Sequence, residues 1–427
     1  MSSERKIYSI GELVDVTQGL AINAKTRHLF RHSGLPLLRI TDLLSGSYSQ
    51  YISATDVPKQ CIAAEEEVIY TRTGQVGLVF TGKVGVVHNN CFKVTPKDSR
   101  LSRRFLYWYL RQLTVYEYVN TVASGSVQKD LNHSAFKTLK IPLPSTRDQD
   151  EISAILQSIE DRITLLRKTN ATLEAIAQAL FKSWFVDFDP VHAKAEGRQP
   201  EGMDAATAAL FPDSFEESEL GLVPKGWTYK LLADAYEINP LRRLKKGELA
   251  PYLDMASVPT AGHTADRYIY RELGSGAKFI NGDTLLARIT PCLENGKSAF
   301  VDFLEEEKTG WGSTEFLVLR PKAPLPEYHG YLLSRYKPFR EFAIQSMSGT
   351  SGRQRIQNDV LGRYALVVPD KRVGEQFSRL VSPIQKLITA NHEKAQTLTQ
   401  LRDTLLPRLI SGQLRLPEPE SLLESTL

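Results

Sequence analysis

The sequence predicts an α+β fold: two α/β-mixed domains in a pseudo-twofold arrangement, separated by two long antiparallel helices that form a coiled coil. Three observations predict it. The chain repeats itself at an offset of 225 residues, and each repeat ends in a long heptad-patterned segment. The remainder of each repeat mixes short strands and helices without regular βαβ alternation.

The duplication is legible position by position. At the 225-residue offset Leu131 meets Ile356, Phe136 meets Leu361 and Pro144 meets Pro369. Without a gap, Ile159 then meets Ile384, Ile163 meets Ile388, Leu173 meets Leu398, Ile176 meets Leu401, and Leu180-Phe181 meets Leu405-Leu406. Upstream, with insertions, Pro36–Ile40 matches Pro251–Met255 and Ile69–Arg72 matches Leu285–Arg288. The shared order favours one module written twice, and a period this long is not that of a solenoid. A chain of 427 residues also exceeds one ordinary core. The expected organisation is a first domain over 1–146, a helix over 147–186, a linker over 187–224, a second domain over 225–369, a second helix over 370–412 and a flexible tail over 413–427.

Short apolar runs between Gly-rich turns predict strands at Glu67–Tyr70, Gly77–Phe80 and Val84–His88, and in the second copy at Thr284–Ala287 and Glu315–Leu319. Ser102–Leu113 and Tyr328–Tyr336 read as helices. The long helices rest on stronger periodicity. Asp148–Phe185 contains neither Pro nor Gly. Ile152, Ile159, Leu166, Leu173 and Leu180 recur every seven residues, with Leu156, Ile163, Asn170, Ala177 and Trp184 four after each. The second copy places Phe377, Ile384, Asn391, Leu398 and Leu405 beside Val381, Ile388, Ala395, Arg402 and Leu409. Such a seam predicts helix pairing, and a polar residue within it, here Asn170 and Asn391, fixes register at a cost in stability. A helix of about 38 residues extends roughly 57 Å, more than the ~34 Å of one DNA turn.

Charge is distributed unevenly. The net balance is +7 over residues 1–146, −8 over 147–224, +4 over 225–369 and +1 over 370–427. Two basic blocks flank an acidic one, as suits modules that face phosphates, although solubility alone accounts for charge of this size. Cys61, Cys91 and Cys292 form no CxxC pair, which argues against a disulfide framework or zinc site and suits a reducing cytoplasm. The charged start MSSERKIYSI is not a signal peptide, and no stretch is long enough to span a bilayer.

Enzymatic motifs are fragmentary. Gly296-Lys297-Ser298 has Pro291 where a phosphate-binding loop needs its leading Gly. Asp189-Pro190-Val191 and Asn239-Pro240-Leu241 lack the second Pro and aromatic residue of a methyltransferase tetrapeptide. Asp302 with Glu306-Glu307-Lys308 reads as an acidic turn, not a nuclease centre, and His28 and His32 lie in a basic stretch, not a metal site.

Several motifs carry a family resemblance. Ile141-Pro142-Leu143-Pro144 runs into a helix, and Ala179 to Val191 reads ALFKSWFVDFDPV. The second copy has Gly312 to Pro321 (GSTEFLVLRP) and Leu401 to Gly412 (LRDTLLPRLISG). On these the chain resembles a specificity subunit of a Type I restriction–modification enzyme over nearly its whole length. The second helix opens on the family's usual Glu375-Gln376, where the first has Asp148-Gln149. The resemblance implies a non-catalytic, cytoplasmic subunit whose two domains each read half of a bipartite site in double-stranded DNA. It implies helices that space the domains and dock two methyltransferase subunits, with motor-nuclease subunits joining for cleavage. S-adenosylmethionine, ATP and magnesium then belong to those partners, and this chain holds no cofactor. Two rivals are a degenerate methyltransferase or nuclease and a coiled-coil scaffold without DNA specificity.

The DNA-reading candidates lie in loops that the duplication makes equivalent, Val122–Leu131 (VASGSVQKDL) and Ser346–Ile356 (SMSGTSGRQRI). Hydroxyls and backbone amides there suit phosphates, and Gln or Arg can pair with base edges. The candidates are Ser126, Gln128 and Lys129 in the first loop and Arg353, Gln354 and Arg355 in the second. Arg72, beside Thr73-Gly74, and Arg288 end matched strands, where each serves either a DNA groove or a structural ion pair.

Overall fold

The computed structural model describes residues 5–125, 127–219, 221–265 and 267–416. The chain divides into two compact units: unit 1 is Met1–Ile163 with Gln396–Leu427, and unit 2 is Thr164–Ala395. Both long helices therefore contribute to both units.

Unit 1 is closed by a ladder between its first and last strands, Lys6–Ser9 and Lys140–Leu143, in register from Lys6↔Leu143 to Ser9↔Lys140. Inside it, an antiparallel sheet runs Val14–Gln18, Cys91–Pro96, Val68–Thr71, Val79–Phe80. A second sheet runs Phe30–Arg31, Tyr51–Ile52, Leu35–Leu38, Gly85–Val87, Ile62–Ala63, and its Leu35–Leu38/Gly85–Val87 pair is parallel. Unit 2 follows the same plan. Thr228–Leu231 pairs with Ala365–Val368. An antiparallel sheet runs Tyr236–Ile238, Phe316–Pro321, Thr284–Ala287, Ser298–Phe300. The mixed sheet runs Ile269–Glu272, Leu249–Leu253, Gly310–Gly312, Ala277–Phe279, with Leu249–Leu253/Gly310–Gly312 parallel. Two globules built on one plan are what a duplicated module requires.

The expected helices break where the sequence supplies a new start. Ser102 caps Arg103–Leu110, but Gln112 is extended and opens a separate helix, Leu113–Val122. In unit 2, Glu327–Arg335 stops at extended Tyr336, and Pro338 sits in the first turn of Lys337–Gln345.

The long helices span Thr146–Phe185 and Lys371–Ser411. Ser145 starts the first by accepting from the Asp148 amide at 3.1 Å, and Asp370 starts the second by accepting from Arg372 at 2.7 Å and Val373 at 3.1 Å. In unit 1, Ile152 and Leu156 share a buried cluster with Leu406, Leu409 and Ile410. In unit 2, Ala177, Phe181 and Trp184 share one with Phe377 and Val381. Early residues of one helix meet late residues of the other in both units, so the pair runs antiparallel.

The stretch expected as a linker, 187–224, packs within unit 2. Phe188, at φ 53°, reverses the chain after the first helix. Asp189–Ala195, Ala205–Ala208 and the hairpin Phe215–Ser218/Gly221–Pro224 follow. Val191, Phe211 and Val223 join the cluster around Trp184, Phe185 and Phe377. Lys194 Nζ donates to the Ala208 and Phe211 carbonyls. A few apolar anchors suffice to dock a segment whose acidic composition reads as solvent-exposed. Of the tail, residues 417–427 lie outside the described residues.

His329 sits fully buried in unit 2 against Phe181 and Phe185, bonded to the Tyr236 hydroxyl. Burial pushes its imidazole down to about 3. The unfolded chain, with an ordinary imidazole near ~6.5, then binds a proton that the folded chain refuses. This contribution to stability is present above that ordinary value and is lost as pH falls toward 3, at about 1.4 kcal/mol per pH unit. His329→Gln should flatten the acid limb of unit 2's stability–pH curve, measured by urea unfolding from pH 7 to 4. An unchanged slope would assign that limb to other groups.

Candidate nucleic-acid interface

The two candidate loops are the same device. In unit 1, Ser124 and Asp130 exchange backbone hydrogen bonds of 2.9 and 2.8 Å, closing a tight loop. Gly125 sits at φ 98°, and a Cβ there would come within 2.2 Å of the Gln128 carbonyl, so only glycine serves. Beneath it, the Leu131 amide donates to the Arg72 carbonyl at 2.8 Å and the Gly74 amide to Lys129 at 2.8 Å. In unit 2, Ser348 and Arg355 exchange bonds of 3.0 and 2.9 Å, and the Ile356 amide donates to the Arg288 carbonyl at 3.0 Å. Thr290 anchors the loop through Gln354, its amide reaching the Gln354 carbonyl at 3.0 Å and its hydroxyl accepting from the Gln354 amide at 3.1 Å.

An ion pair clamps each loop, and the charge at the loop's end is reversed between copies. Arg72 binds Asp130 at 2.7 Å, reaches the Leu131 carbonyl at 3.2 Å and lies over Phe92, while the Thr73 hydroxyl donates to Asp130 at 2.6 Å. In unit 2 the position of Asp130 is held by Arg355, which makes a forked bond to Glu315, with contacts from 2.6 to 2.9 Å. Arg288 donates to the Ile356 carbonyl at 2.7 Å and to Gln357 at 3.0 Å. Arg72, Arg288 and Arg355 thus carry intramolecular duties that shape the loops.

The remaining candidates face outward. Lys129 is exposed, its ammonium on the Asn120 carbonyl at 2.8 Å. Gln128 and Arg353 are exposed and Gln354 half-buried, their side chains without a partner among the described residues. Ser126 lies outside the described residues. Sequence reasoning missed Asp130 and Glu315, although an acid facing a base at the 225-residue offset was a usable signal.

The seam residues are buried to different degrees. Ile163 and Ile388 are buried, while Ile159, Leu173, Leu180, Ile384, Leu398 and Leu405 are half-buried. Asn391 Nδ2 donates to Asn170 Oδ1 at 2.9 Å, and Asn170 Nδ2 donates to the Ile388 carbonyl at 2.9 Å. Within unit 1, the polar seam residue Arg402 meets Glu160 at 2.5 Å, a partner the heptad reading did not name, and Arg111 joins them at 3.5 Å from the same carboxylate.

The fragmentary enzymatic motifs have structural employment. Lys297 Nζ donates to the Met255 carbonyl at 2.6 Å. Asp302 accepts from Gln385 at 2.6 Å and from the Thr389 hydroxyl, tying the second helix to its domain. His28 and His32 are exposed, and the described residues contain no group of three His, Cys, Asp or Glu able to hold a metal ion. Among them, no helix is long and apolar enough to cross a membrane.

Residues 2–175 match the Type I restriction modification DNA specificity domain. The MjaIX Type I restriction enzyme specificity subunit of Methanocaldococcus jannaschii is 25% identical over 433 residues, covering 97% of this chain and 94% of that protein. The HindI specificity subunit of Haemophilus influenzae is 25% identical over 488 residues, covering 96% and 100%. The crystal structure of a Type I restriction–modification system S subunit from M. genitalium has the same fold, with a TM-score of 0.56 at 16% identity over 96% of this chain and 97% of that one. These relatives are named for specificity, not for catalysis.

The clamp makes a local prediction. Asp130→Asn should leave global stability nearly unchanged, because the Asp130 side chain is 39% exposed. It should speed hydrogen exchange at the Ser124 and Leu131 amides about tenfold. Unchanged protection would assign loop rigidity to the backbone bonds alone.

Proposed function

Because residues 2–175 match the Type I restriction modification DNA specificity domain and the relatives similar over nearly the whole chain are specificity subunits, we propose that the chain is such a subunit and that unit 1 and unit 2 each read one half of an asymmetric bipartite site in double-stranded DNA. The observation that carries this reading is the repeated loop, held by the same backbone bonds and an ion pair in both units. A rigid loop that projects Gln128 and Lys129 in one unit and Arg353 and Gln354 in the other offers donors to phosphates and base edges without much ordering cost. The unlike side chains predict unlike half-sites. The paired helices fix the spacing at which the halves are read.

Two methyltransferase subunits then modify adenines in the two halves, and motor-nuclease subunits join for cleavage. S-adenosylmethionine, ATP and magnesium are held by those partners, in the cytoplasm. The outer faces of the helices in unit 2 supply a docking surface of the right chemistry for a partner helix. Leu380 and Leu387, seven residues apart, are 39% and 46% exposed, and Leu165 and Ile176 are 52% and 45% exposed.

Expressing the chain with its methyltransferase partners and mapping methylated bases genome-wide tests the reading. The expected result is a gapped motif with unlike halves; a palindromic, ungapped motif overturns it. In the same assay, Arg353→Ala should relax one half-site by about 1–3 kcal/mol in discrimination and leave the other intact. Leu387→Glu should weaken methyltransferase capture at least about tenfold, read by size-exclusion chromatography of the co-expressed complex. Unchanged stoichiometry and retention on dilution would remove that surface.

A further inference from the structure

The turn that follows strand Tyr236–Ile238 in unit 2 presents an apolar tip amid cations. Its root is pinned. Asn239, at φ 53°, donates its amide to the Val318 carbonyl at 2.7 Å and accepts from the Val318 amide at 2.9 Å through its side chain. Three residues on, Arg242 forks onto the fully buried Asp283 carboxylate at 2.8 and 3.3 Å. The Leu244 carbonyl accepts from Lys278 Nζ at 3.1 Å, and its side chain packs beside Trp311 and Tyr252. Glu248 holds the following turn by accepting from the Lys245 amide at 2.9 Å. Between these anchors the outward positions are Leu241, which is 100% exposed, and Arg243, Lys245 and Lys246, whose side chains are exposed and form no ion pair among the described residues.

A leucine held wholly in water on a rigid, cationic turn has no folding role. Burying it elsewhere would be favourable, and four anchors prevent it from folding back. Its surroundings point the same way. Pro240, Leu241 and Arg242 line a cavity of about 390 Å³ with Lys278, Arg288 and Thr314, and Arg288 is the arginine that roots the clamped loop. The turn therefore borders a concavity whose lining includes the arginine at the root of the loop. The equivalent turn in unit 1 is built differently. After Gly19, Leu20 donates to the Val87 carbonyl at 2.7 Å, Leu20 and Ile22 pack on the domain's cluster, and Thr26 closes the chain onto the Ala21 carbonyl at 3.0 Å. By strand register, in which Val14 opposite Pro96 corresponds to Tyr236 opposite Pro321, Gly19 stands where unit 2 has Leu241.

We propose that Pro240–Lys246 is a second DNA-contacting element particular to unit 2, in which Leu241 packs on a base edge and Arg243, Lys245 and Lys246 hold the flanking phosphates. Apolar side chains read the thymine methyl or wedge at a base step, and cations beside them neutralise phosphates in a salt-dependent way. This rests on the DNA-reading function proposed above and adds residues outside the duplicated loops.

The test uses the full chain in complex with its methyltransferase partners. Binding is measured against duplexes in which each base pair of the mapped site is varied singly, across a salt series. Leu241→Ser, at a fully exposed position, should fold normally. It should cut discrimination about tenfold at one or two adjacent pairs of the half-site read by unit 2, with the salt dependence unchanged. Arg243→Ala with Lys246→Ala should weaken binding to every duplex alike and reduce the salt slope by about two. If the wild-type complex discriminates and both variants behave like it, or if Leu241→Ser relaxes the other half-site, this element is not a reader. A wild-type complex that does not discriminate at all would instead overturn the underlying function, and this proposal with it.

Discussion

Four backbone pairs close unit 1, from Lys6↔Leu143 to Ser9↔Lys140, and four more close unit 2, from Thr228↔Val368 to Leu231↔Ala365. A strand that opens a module can find its partner only after the whole intervening domain has folded back, so each ladder is a long-range constraint. The last strand then runs into a long helix within a few residues, which fixes the helix start relative to the domain. In unit 1 the buried Gln149 tightens that junction. Its Oε1 accepts from the Ser102 amide at 2.8 Å, and its Nε2 donates to the Arg100 and Pro144 carbonyls at 2.7 and 3.0 Å. A side-chain amide with both ends employed tolerates no sliding, because each group left unpaired in the interior costs about 1–3 kcal/mol. The clamped loops inherit their position from this closure, since Leu131 and Ile356 bond directly to strand-end residues of the same domains.

The helix seam adds a second constraint. Apolar heptads alone permit slippage by whole turns, each register burying similar leucines and isoleucines. Asn170 and Asn391 remove that degeneracy, because their amides meet each other and the Ile388 carbonyl in only one alignment. Arg402 does the same in unit 1, where a slip would strand a mostly buried guanidinium away from Glu160. Both devices trade some stability for a defined register of paired helix.

The parts of this architecture legible in the sequence are those written in local periodicity or in repetition. The seven-residue spacing from Ile152 to Leu180 located the first helix, and the 225-residue offset made the two loops equivalent before any contact was known. What escaped was non-local or sparse. The segment 187–224 reads as acidic linker because its docking depends on three well-spaced side chains, Val191, Phe211 and Val223. The break at Gln112 escaped because apolar residues continue across it, and only extended backbone at that residue ends one helix and starts the next. Arg72, Arg288 and Arg355 were recognisable as chemically able, but whether an arginine serves DNA or its own fold depends on an acid or carbonyl distant in sequence. Asp130 lies 58 residues from Arg72, and Glu315 lies 40 from Arg355.

The reversal of the loop-end charge between the copies shows how such a module diversifies. Strand pairing places Asn90 in unit 1 where unit 2 has Glu315, because Arg72 donates its amide to the Asn90 carbonyl as Arg288 does to Glu315. At the loop's end, Asp130 in one copy is Arg355 in the other. The clamp needs one acid and one base within reach, and the partner of the loop-end residue comes from a different strand end in each copy. The charges around a reading loop can thus be reassigned without dismantling the loop, provided the change is made in pairs. A single change, Asp130 to a cation beside Arg72, places like charges at hydrogen-bonding distance and opens the loop. Paired change keeps the geometry and alters the potential the loop presents to its surroundings. A duplicated scaffold of this kind can therefore hold its ladders and helix register fixed while its two halves drift toward different sequences.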